Sequence, residues 1–206
     1  MQAIHHPSHQ CITRLPLSTD SWLSYLPQWL DSSTASELQH TLMQSLNWQA
    51  GQIKLFGRQV AIPRLHAWYG DPLASYGWSG QRATPLPWTP ELAQLRDKLK
   101  AHCDSSFNGV LANLYRDGQD CMHWHADNEP ELGSRPTIAA ISLGAERRFS
   151  LRHKHRAHPT HRLQLGHGSL LLMGGECQRH WQHALPRSMR VPGARISLTF
   201  RFIHPR

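Results

Sequence analysis

The spacing of apolar residues predicts helices in the first part of the chain and strands in the second. Residues Thr34 to Glu37 have the Thr-x-x-Glu pattern of a capping box. Leu38, Leu42 and Leu46 follow at a spacing of four, which places them on one face of a helix. We therefore expect residues 1–50 to be a helical extension that packs on one side of the fold.

A second helix is predicted after a segment that is rich in proline, glycine and aromatic residues. Residues 51–88 have this mixed composition, which is typical of short strands and shaped loops. Thr89 then offers an N-cap, and Pro90 stands in the first turn, where its missing N–H costs nothing. The leucines that follow share one face, and we expect this helix to end near Cys103.

From residue 107 onward, the pattern is that of short strands separated by glycine or proline. The predicted strands are Val110–Arg116, Met122–Asp127, Thr137–Leu143, Arg148–His153, Gly168–Met173 and Arg195–Ile203. Helices followed by short strands predict an α+β fold whose strands form a sandwich or a barrel. An antiparallel double-sheet jelly roll fits, because the open end of such a barrel can hold a small site.

Composition narrows the class of protein. The chain has 206 residues, of which 39% are hydrophobic and 17% are charged, and these values exclude a disordered or fibrous protein. No apolar run approaches the ~20 residues that a membrane span needs. The four cysteines are scattered, which favours reduced thiols over a disulfide framework. We expect a cytoplasmic monomer with no membrane partner, or a nuclear one if its source is eukaryotic.

Positive charge is concentrated in the last third of the chain. The whole chain carries a formal charge of +8, and residues 146–206 alone hold twelve Lys/Arg against two acids. Within residues 147–162 there are six Lys/Arg, four His and no acid, which favours contact with a phosphate backbone. Arg152, Lys154 and Arg156 are the candidates for this contact. A histidine-rich metal store fits less well, because arginine is interleaved throughout.

A possible metal site lies at the end of a predicted strand, in His125-Ala126-Asp127. The two-residue period of a strand puts the His125 and Asp127 side chains on the same face. One histidine and one carboxylate, joined by a distant histidine, form the facial triad of non-haem Fe(II) oxygenases, which leaves positions open for substrate and O₂. The candidates for the distant ligand are His180 and His183.

The last predicted strand has a polar face, which carries Arg195, Ser197, Thr199 and Arg201. Two arginines that point inward would be costly unless an anion pairs with them, and a dicarboxylate offers forked hydrogen bonds to both. The alternative is the solvated face of an edge strand. Asn113 and Tyr115 share a face on another strand and favour the first interpretation, because they could complete a polar lining.

Taken in order, these segments resemble the AlkB family of Fe(II)- and 2-oxoglutarate-dependent nucleic-acid dealkylating dioxygenases, most closely the animal-type branch. The resemblance covers roughly residues 50–203. Its motifs are Pro63-Arg64 with Trp68-Tyr69-Gly70, Asn113-Leu114-Tyr115-Arg116, Trp124-His125-Ala126-Asp127-Asn128-Glu129-Pro130, Ser142-Leu143-Gly144-Ala145, His167-Gly168-Ser169-Leu170, Trp181-Gln182-His183-Ala184-Leu185-Pro186 and Arg195–Arg201.

The resemblance implies a double-stranded β-helix, which is a jelly roll, and a site for Fe(II), 2-oxoglutarate and O₂. It implies that His125, Asp127 and His183 bind iron and that His180 is a neighbour. The residues implied for 2-oxoglutarate are Asn113, Tyr115, Arg195, Ser197, Thr199 and Arg201. Many relatives have Asn in place of Ser197, whose shorter hydroxyl could still reach the cosubstrate. The implied dioxygenase domain is 51–206, with recognition loops at about 51–88 and a jelly-roll core at about 107–203.

The implied activity is oxidative demethylation of 1-methyladenine and 3-methylcytosine type lesions in DNA, with release of formaldehyde and succinate. Such direct-reversal repair needs a flipped or single-stranded base. The alternatives are an RNA demethylase or a protein side-chain hydroxylase with the same cofactors. A non-enzymatic metal-containing nucleic-acid-binding module is disfavoured, because structural zinc usually takes cysteine ligands, which are wrongly placed here.

Several further residues are candidates for contact with the alkylated strand: Phe56, Arg58, Tyr76, Trp78, Asn128 and Glu129. Tyr76 and Trp78 match positions that line the substrate pocket in the family and could stack on an extruded base. Phe56 could fill the vacated stack, and the alternative for all three aromatic residues is that they pack in the core. The Glu129 carboxylate would favour a cationic lesion, or is a solvated acid in a turn.

Overall fold

Two large antiparallel β-sheets, a two-stranded hairpin, three α-helices and a short 3₁₀ helix (Pro130–Leu132) form the described part of the chain. The structure is a computed structural model that describes residues 14–55, 57–74, 76–78, 81–103 and 105–205. In chain order the strands are β1 (Leu15–Ser18), β2 (Ser21–Leu26), β3 (Gln49–Leu55), β4 (Arg58–Gly70), β5 (Tyr76–Trp78), β6 (Gln81–Ala83), β7 (Gly109–Tyr115), β8 (Met122–His125), β9 (Ile138–Gly144), β10 (Arg147–His153), β11 (His161–Leu165), β12 (Ser169–Gly175), β13 (Trp181–Leu185) and β14 (Arg195–Arg201). The helices are α1 (Ser32–Ser45), α2 (Pro90–Cys103) and the single turn α3 (Cys177–His180).

The strand order is that of a double-sheet jelly roll, as the sequence predicts. The larger sheet has the order β1-β2-β12-β9-β14-β7-β4-β3, and the smaller sheet has the order β11-β10-β13-β8. A separate hairpin pairs β5 with β6. Each of the six strands predicted from the sequence overlaps an observed strand, whereas β11 and β13 were not predicted.

The two largest apolar clusters among the described residues hold three layers together. One cluster joins the helices to the larger sheet, where Leu42 and Leu95 pack with Ile196, Leu198 and Phe200 of β14. The other lies between the two sheets and includes residues of β2, β9, β12, β10 and β13. The second cluster fills only part of the space between the sheets, because the opposite face of β14 is polar. That polar part contains the candidate site.

The first helix begins three residues earlier than the capping-box pattern predicts. Its N-cap is Asp31, whose Oδ1 accepts a hydrogen bond from the Thr34 backbone N–H at 2.9 Å. The Asp31 Oδ2 also accepts from the Thr34 hydroxyl at 2.7 Å, so Thr34 cannot serve as a cap itself. The second helix begins as predicted, because Thr89 Oγ1 accepts from the Leu92 N–H at 3.3 Å.

The helical extension expected over residues 1–50 differs from the structure. Residues 1–13 lie outside the described part, and the next residues form β1 and β2 rather than helix. β2 joins the larger sheet through β12, where Gly174 pairs with Trp22. A Cβ on Gly174 would lie 2.2 Å from the Trp22 ring, so glycine permits this close contact. The pairing joins residues far apart in sequence, which local patterns do not reveal.

Among the described residues, no helix combines the length and the apolar composition that a membrane crossing requires.

A buried arginine ties together two loops at one end of the smaller sheet, the β7–β8 loop and the segment after β13. Arg147 is 1% exposed, and its guanidinium donates to the backbone carbonyls of Asp117 at 3.0 Å, Asp120 at 2.8 Å and Pro186 at 2.9 Å. Its neighbour Arg148 is exposed, because side chains alternate along a strand. The two adjacent arginines therefore have different roles in stability.

We expect Arg147→Met to lower the free energy of unfolding by about 2–4 kcal/mol, because three carbonyls lose their donor in a buried position. Equilibrium urea unfolding measures this change. Arg148→Met is the matched control and should shift the free energy by no more than about 0.5 kcal/mol. Equal losses in both variants would contradict the structural role of Arg147.

Candidate active site

Three predicted residues meet in the space between the sheets. His125 ends β8, Asp127 follows two residues later, and His183 lies in β13 directly opposite His125. One ligand atom from each residue lies within 4.8 Å of the others. The Nε2 atom of His125 is 3.9 Å from Oδ1 of Asp127. This spacing allows one cation to contact all three residues.

The partners of His125 and Asp127 leave one ligand atom of each free to face the centre of this group. Nδ1 of His125 lies 2.8 Å from the carbonyl oxygen of His123, so a donated hydrogen bond there leaves the Nε2 lone pair for a metal. Oδ2 of Asp127 accepts from the Arg201 guanidinium at 2.9 Å, which leaves Oδ1 available. The Asp127 N–H donates to the side-chain oxygen of Gln178 at 3.0 Å.

The protonation states of Asp127 and His183 suit metal binding. Burial alone would raise the pKa of Asp127, but Arg201 and the two histidines lower this pKa to about 2. Burial, aided by the neighbouring His125, lowers the pKa of His183 to about 3. At neutral pH the site therefore offers a carboxylate and a neutral imidazole, which are the forms that bind a metal.

His180, the other candidate ligand, lies elsewhere. Its Nε2 is 2.8 Å from Oε2 of Glu176, at the end of the single turn α3. The next strand, β13, then carries His183 inward. The structure thus separates two histidines that the sequence could not distinguish by spacing.

The same cavity has a polar wall on the larger sheet. Its polar residues are Asn113, Tyr115, Arg195, Ser197, Thr199 and Arg201. Register places Ser197 between Asn113 of β7 and Ser142 of β9. All six residues implied for 2-oxoglutarate therefore line one cavity together with the three metal-site residues. β14 has neighbours on both sides, so it is not the solvated edge strand of the alternative interpretation.

Arg195 is a buried cation without a carboxylate partner in the described part of the chain. It is 2% exposed, and one of its terminal nitrogens donates to Ser142 Oγ at 2.9 Å. Its Cζ lies 5.4 Å from the centre of the Tyr115 ring. Its Nε has no hydrogen-bond partner among the described residues. Burial lowers the pKa of Arg195 to about 10, so the charge remains at neutral pH and needs an anion.

These observations fit Fe(II) and 2-oxoglutarate. Two histidines and one carboxylate are the donor set of non-haem iron oxygenases, and they leave coordination positions open. The partnerless Nε of Arg195 offers a place for the distant carboxylate of a diacid. Arg201 cannot fill the same role as freely, because it already holds Asp127.

Sequence reasoning missed several residues of the site. The apolar wall of the cavity is formed by Met122, Ala140, Phe149, Leu165, Met173 and Leu185. Arg64 was seen only as part of a motif, yet its Nε donates to Asn113 Oδ1 at 2.9 Å and orients that amide. Ser142 supports Arg195, and Gln178 supports Asp127. Gln178 lies on α3 and has no pattern in the sequence that would reveal its role.

A second cavity adjoins the metal-site residues and opens between β4 and β8. Glu129 lines it together with Arg64, His66 and Met122. Asn128 and Arg58 are exposed. Tyr76 and Trp78 lie in β5, but their side chains and the whole of Phe56 are outside the described part. The contacts predicted for Asn128, Arg58, Tyr76, Trp78 and Phe56 therefore remain predictions.

The basic segment does not project as a uniform set of charges. Arg156 is exposed, but Lys154 is half-buried and its Nζ donates to the Gln178 carbonyl at 3.1 Å. Arg152 is also half-buried and lies against Trp124, with Cζ 4.2 Å from the ring centre. Of the three candidates for phosphate contact, only Arg156 is exposed in the structure. Lys154 instead fastens β10 to the turn that carries Gln178.

Comparisons with known proteins show the family of this chain. The model of the 2OG-Fe(II) oxygenase superfamily matches residues 22–201. DNA oxidative demethylase ALKBH2 of Bos taurus is 42% identical over 161 residues, which cover 75% of this chain and 58% of that protein. ALKBH2 of Homo sapiens is 36% identical over 201 residues, which cover 89% of this chain and 77% of that protein.

A solved structure supports the fold alone. The structure of OsALKBH1 superposes with a TM-score of 0.59 at 17% identity, and the match covers 92% of this chain and 99% of that one. The fold, the metal-site residues and the matches together define an Fe(II)- and 2-oxoglutarate-dependent dioxygenase. Within that class, the chain belongs to the AlkB family.

We expect Arg195→Gln to weaken 2-oxoglutarate binding by roughly 30- to 1,000-fold, because the variant lacks the buried cation that we expect to pair with the distant carboxylate of 2-oxoglutarate. Titration calorimetry with protein loaded with Mn(II), without oxygen, measures this affinity. Arg96→Gln on α2, a half-buried residue outside the cavity, removes the same charge and should leave the affinity unchanged.

Ligand-free stability distinguishes this role from a structural one. Because Arg195 carries an unpaired buried charge, its loss should leave the melting temperature of the ligand-free protein unchanged or raise it. A large drop in melting temperature with unchanged 2-oxoglutarate affinity would show that Arg195 holds the fold and not the cosubstrate.

Cys177, close to Asp127, should be inert. Burial, together with the nearby Asp127 charge, raises the pKa of this thiol to about 12. The thiol therefore stays protonated at pH 8, and only the thiolate reacts with alkylating agents. We expect no iodoacetamide labelling of Cys177 in the folded protein by peptide mass mapping, and full labelling in urea. Rapid labelling of the folded protein would contradict its burial.

Proposed function

We propose that this protein demethylates N-alkylated bases of 1-methyladenine and 3-methylcytosine type in DNA, and so repairs alkylation damage by direct reversal. The observation that carries the proposal is one cavity that holds both the metal-site residues and the buried Arg195, whose Nε has no hydrogen-bond partner among the described residues. Two relatives named as DNA oxidative demethylases support the choice of substrate.

In this proposal His125, Asp127 and His183 hold the iron. Bound iron, with 2-oxoglutarate and O₂ as cosubstrates, would supply the oxidation of the N-methyl group, with succinate, CO₂ and formaldehyde as products. Arg201 keeps Asp127 ionised and fixes its orientation, so that one carboxylate oxygen always faces the metal position. Gln178 holds the backbone at Asp127 and prevents the ligand from turning away.

The polar wall positions the cosubstrate. Arg195 pairs with its distant carboxylate, and Tyr115 and Ser142 keep the guanidinium in place. Asn113, oriented by Arg64, faces the opposite end, and Ser197 and Thr199 complete the lining. The apolar wall around Phe149 and Leu185 excludes water, which protects the oxidation step from side reactions.

The second cavity receives the alkylated base. Glu129 lines this cavity beside the metal-site residues, and its carboxylate favours a base that carries a positive charge. Both 1-methyladenine and 3-methylcytosine are cationic in this sense, whereas unmodified bases are neutral. Asn128 directly precedes Glu129 in the segment that follows β8. Tyr76, Trp78, Phe56 and Arg58 complete our proposed set of contacts with the flipped base and its strand.

The remaining parts of the proposal concern the setting in which the protein acts. We propose that it works as a monomer, in the cytoplasm or in the nucleus of a eukaryotic source. The excess of basic residues near the C-terminus supports a polyanionic partner.

Release of formaldehyde and succinate tests the activity directly. We expect product with oligonucleotides that contain 3-methylcytosine, and none with the unmethylated sequence. His183→Ala should abolish turnover, because one of three metal ligands is lost. His180→Ala is the matched control, since His180 pairs with Glu176 outside the cavity, and it should retain turnover.

Parallel assays show on which type of nucleic acid the protein acts. Methylated single-stranded DNA, duplex DNA and RNA are assayed at equal concentration. Turnover of RNA alone would contradict the DNA assignment, and equal turnover by the His183 variant would contradict the metal site.

A further inference from the structure

The outer face of the smaller sheet is basic and carries one aromatic ring. Its four strands, β8, β10, β11 and β13, contain no Asp or Glu. Because side chains alternate between the two faces of a strand, Phe149, Leu151 and Trp181 lie in the apolar cluster between the sheets. The opposite, outward side carries Arg148, Arg152, Arg162, Gln164, Gln182 and Trp124. This set is called the outer platform below.

Trp124 is held on this platform by its neighbours. Arg152 lies over its ring, with Cζ 4.2 Å from the ring centre. The Arg152 guanidinium also donates to the side-chain oxygen of Gln182, from its Nε at 3.4 Å and from a terminal nitrogen at 3.2 Å. The register pairs Arg152 with Gln182 across β10 and β13. Trp124 nevertheless remains 36% exposed, so part of its ring faces solvent.

Trp124 lies where the outer platform adjoins the candidate active site. Trp124 directly precedes His125, and both lie in β8, the edge strand of the smaller sheet. On the inner side of β8, Met122 and His125 line the cavity that opens between β4 and β8. On the outer side, the Trp124 ring lies against Arg152. A nucleic-acid strand that crosses this edge can therefore place one base inside and the next on Trp124.

We propose that Trp124, held by Arg152, stacks on a base that flanks the alkylated nucleotide, while Arg148 and Arg162 contact the phosphates of the same DNA strand. This inference depends on the proposed function, which places the alkylated base in the cavity. Aromatic rings and arginine planes bind single strands by stacking, and this binding tolerates any base sequence.

The charge of the platform favours DNA over a protein or lipid partner. A partner that binds by apolar contact would need a larger apolar patch than a single tryptophan among arginines. An exposed surface with several arginines and no acid among its strands is complementary to a phosphate backbone.

An abasic scan tests the stacking contact. The protein is loaded with Mn(II) and 2-oxoglutarate without oxygen, and fluorescence anisotropy measures its affinity for single-stranded DNA that contains one 3-methylcytosine. In a series of oligonucleotides, each flanking base in turn is replaced by an abasic site. For the wild type we expect one flanking position at which this replacement weakens binding roughly tenfold.

Combining the Trp124 substitutions with the abasic sites shows whether Trp124 is the residue that stacks on the flanking base. Trp124→Ala should bind the intact oligonucleotide roughly tenfold more weakly and should lose nothing further at that abasic position. Trp124→Phe should restore most of the affinity for the intact oligonucleotide and most of the loss at that abasic position, because it keeps an aromatic face. Trp124→Leu should restore neither. Equal ratios of intact to abasic affinity in the wild type and in Trp124→Ala would overturn the proposal.

Two controls exclude indirect causes. Arg96→Gln removes one charge from α2, where Arg96 lies over Trp88 in a similar cation–π contact, and it should leave DNA affinity unchanged. Calorimetric 2-oxoglutarate binding should be the same in all Trp124 variants, and a loss there would show that the neighbouring His125 has been disturbed and would overturn the stacking role.

Formaldehyde release tests the proposed function, and coupling between Trp124 and a flanking base tests the stacking contact. If no methylated DNA yields formaldehyde, the proposed function is wrong. If formaldehyde is released but no flanking position couples to Trp124, only the stacking role is wrong.

Discussion

The buried ion pair between Arg201 and Asp127 is the interaction on which the site depends. Both side chains are at most 5% exposed, and the pair places a fixed negative charge beside the uncharged imidazole of His183. Removal of either partner would leave a lone buried charge, at a cost of about 3–5 kcal/mol. Such a pair contributes little net stability, so its value lies in orientation. It presents one Asp127 oxygen to a cation and prevents the other from competing.

The alternation of β14 explains how one strand serves both the core and the chemistry. Ile196, Leu198 and Phe200 anchor the strand to the helices on one side. The intervening residues then face the smaller sheet, where Arg195 and Arg201 are fully enclosed. Because the apolar side fixes the register, the two guanidiniums are placed without any flexible loop. The site is thereby held on strands, which position side chains more rigidly than loops do.

Much of this arrangement could be predicted from local patterns. The period of two along Arg195–Arg201 predicted the polar face, and the His-x-Asp spacing predicted two of the three metal-site residues. The strand β13 was not predicted, because Trp181–Leu185 is short and follows a single helical turn, yet it carries His183. The pairing of β2 with β12 was also missed, since it joins residues 21–26 to residues 169–175. Patterns within one segment do not determine which distant segment completes a sheet. For the same reason the supporting roles of Gln178 and Ser142 emerge only from the fold.

A crystal structure of the protein with Mn(II) and 2-oxoglutarate, grown without oxygen, tests the central claim most directly. The account predicts one metal ion bound by His125, Asp127 and His183, with the far carboxylate of 2-oxoglutarate against Arg195. A metal ion bound elsewhere, or a cosubstrate that leaves Arg195 without a partner, would contradict it.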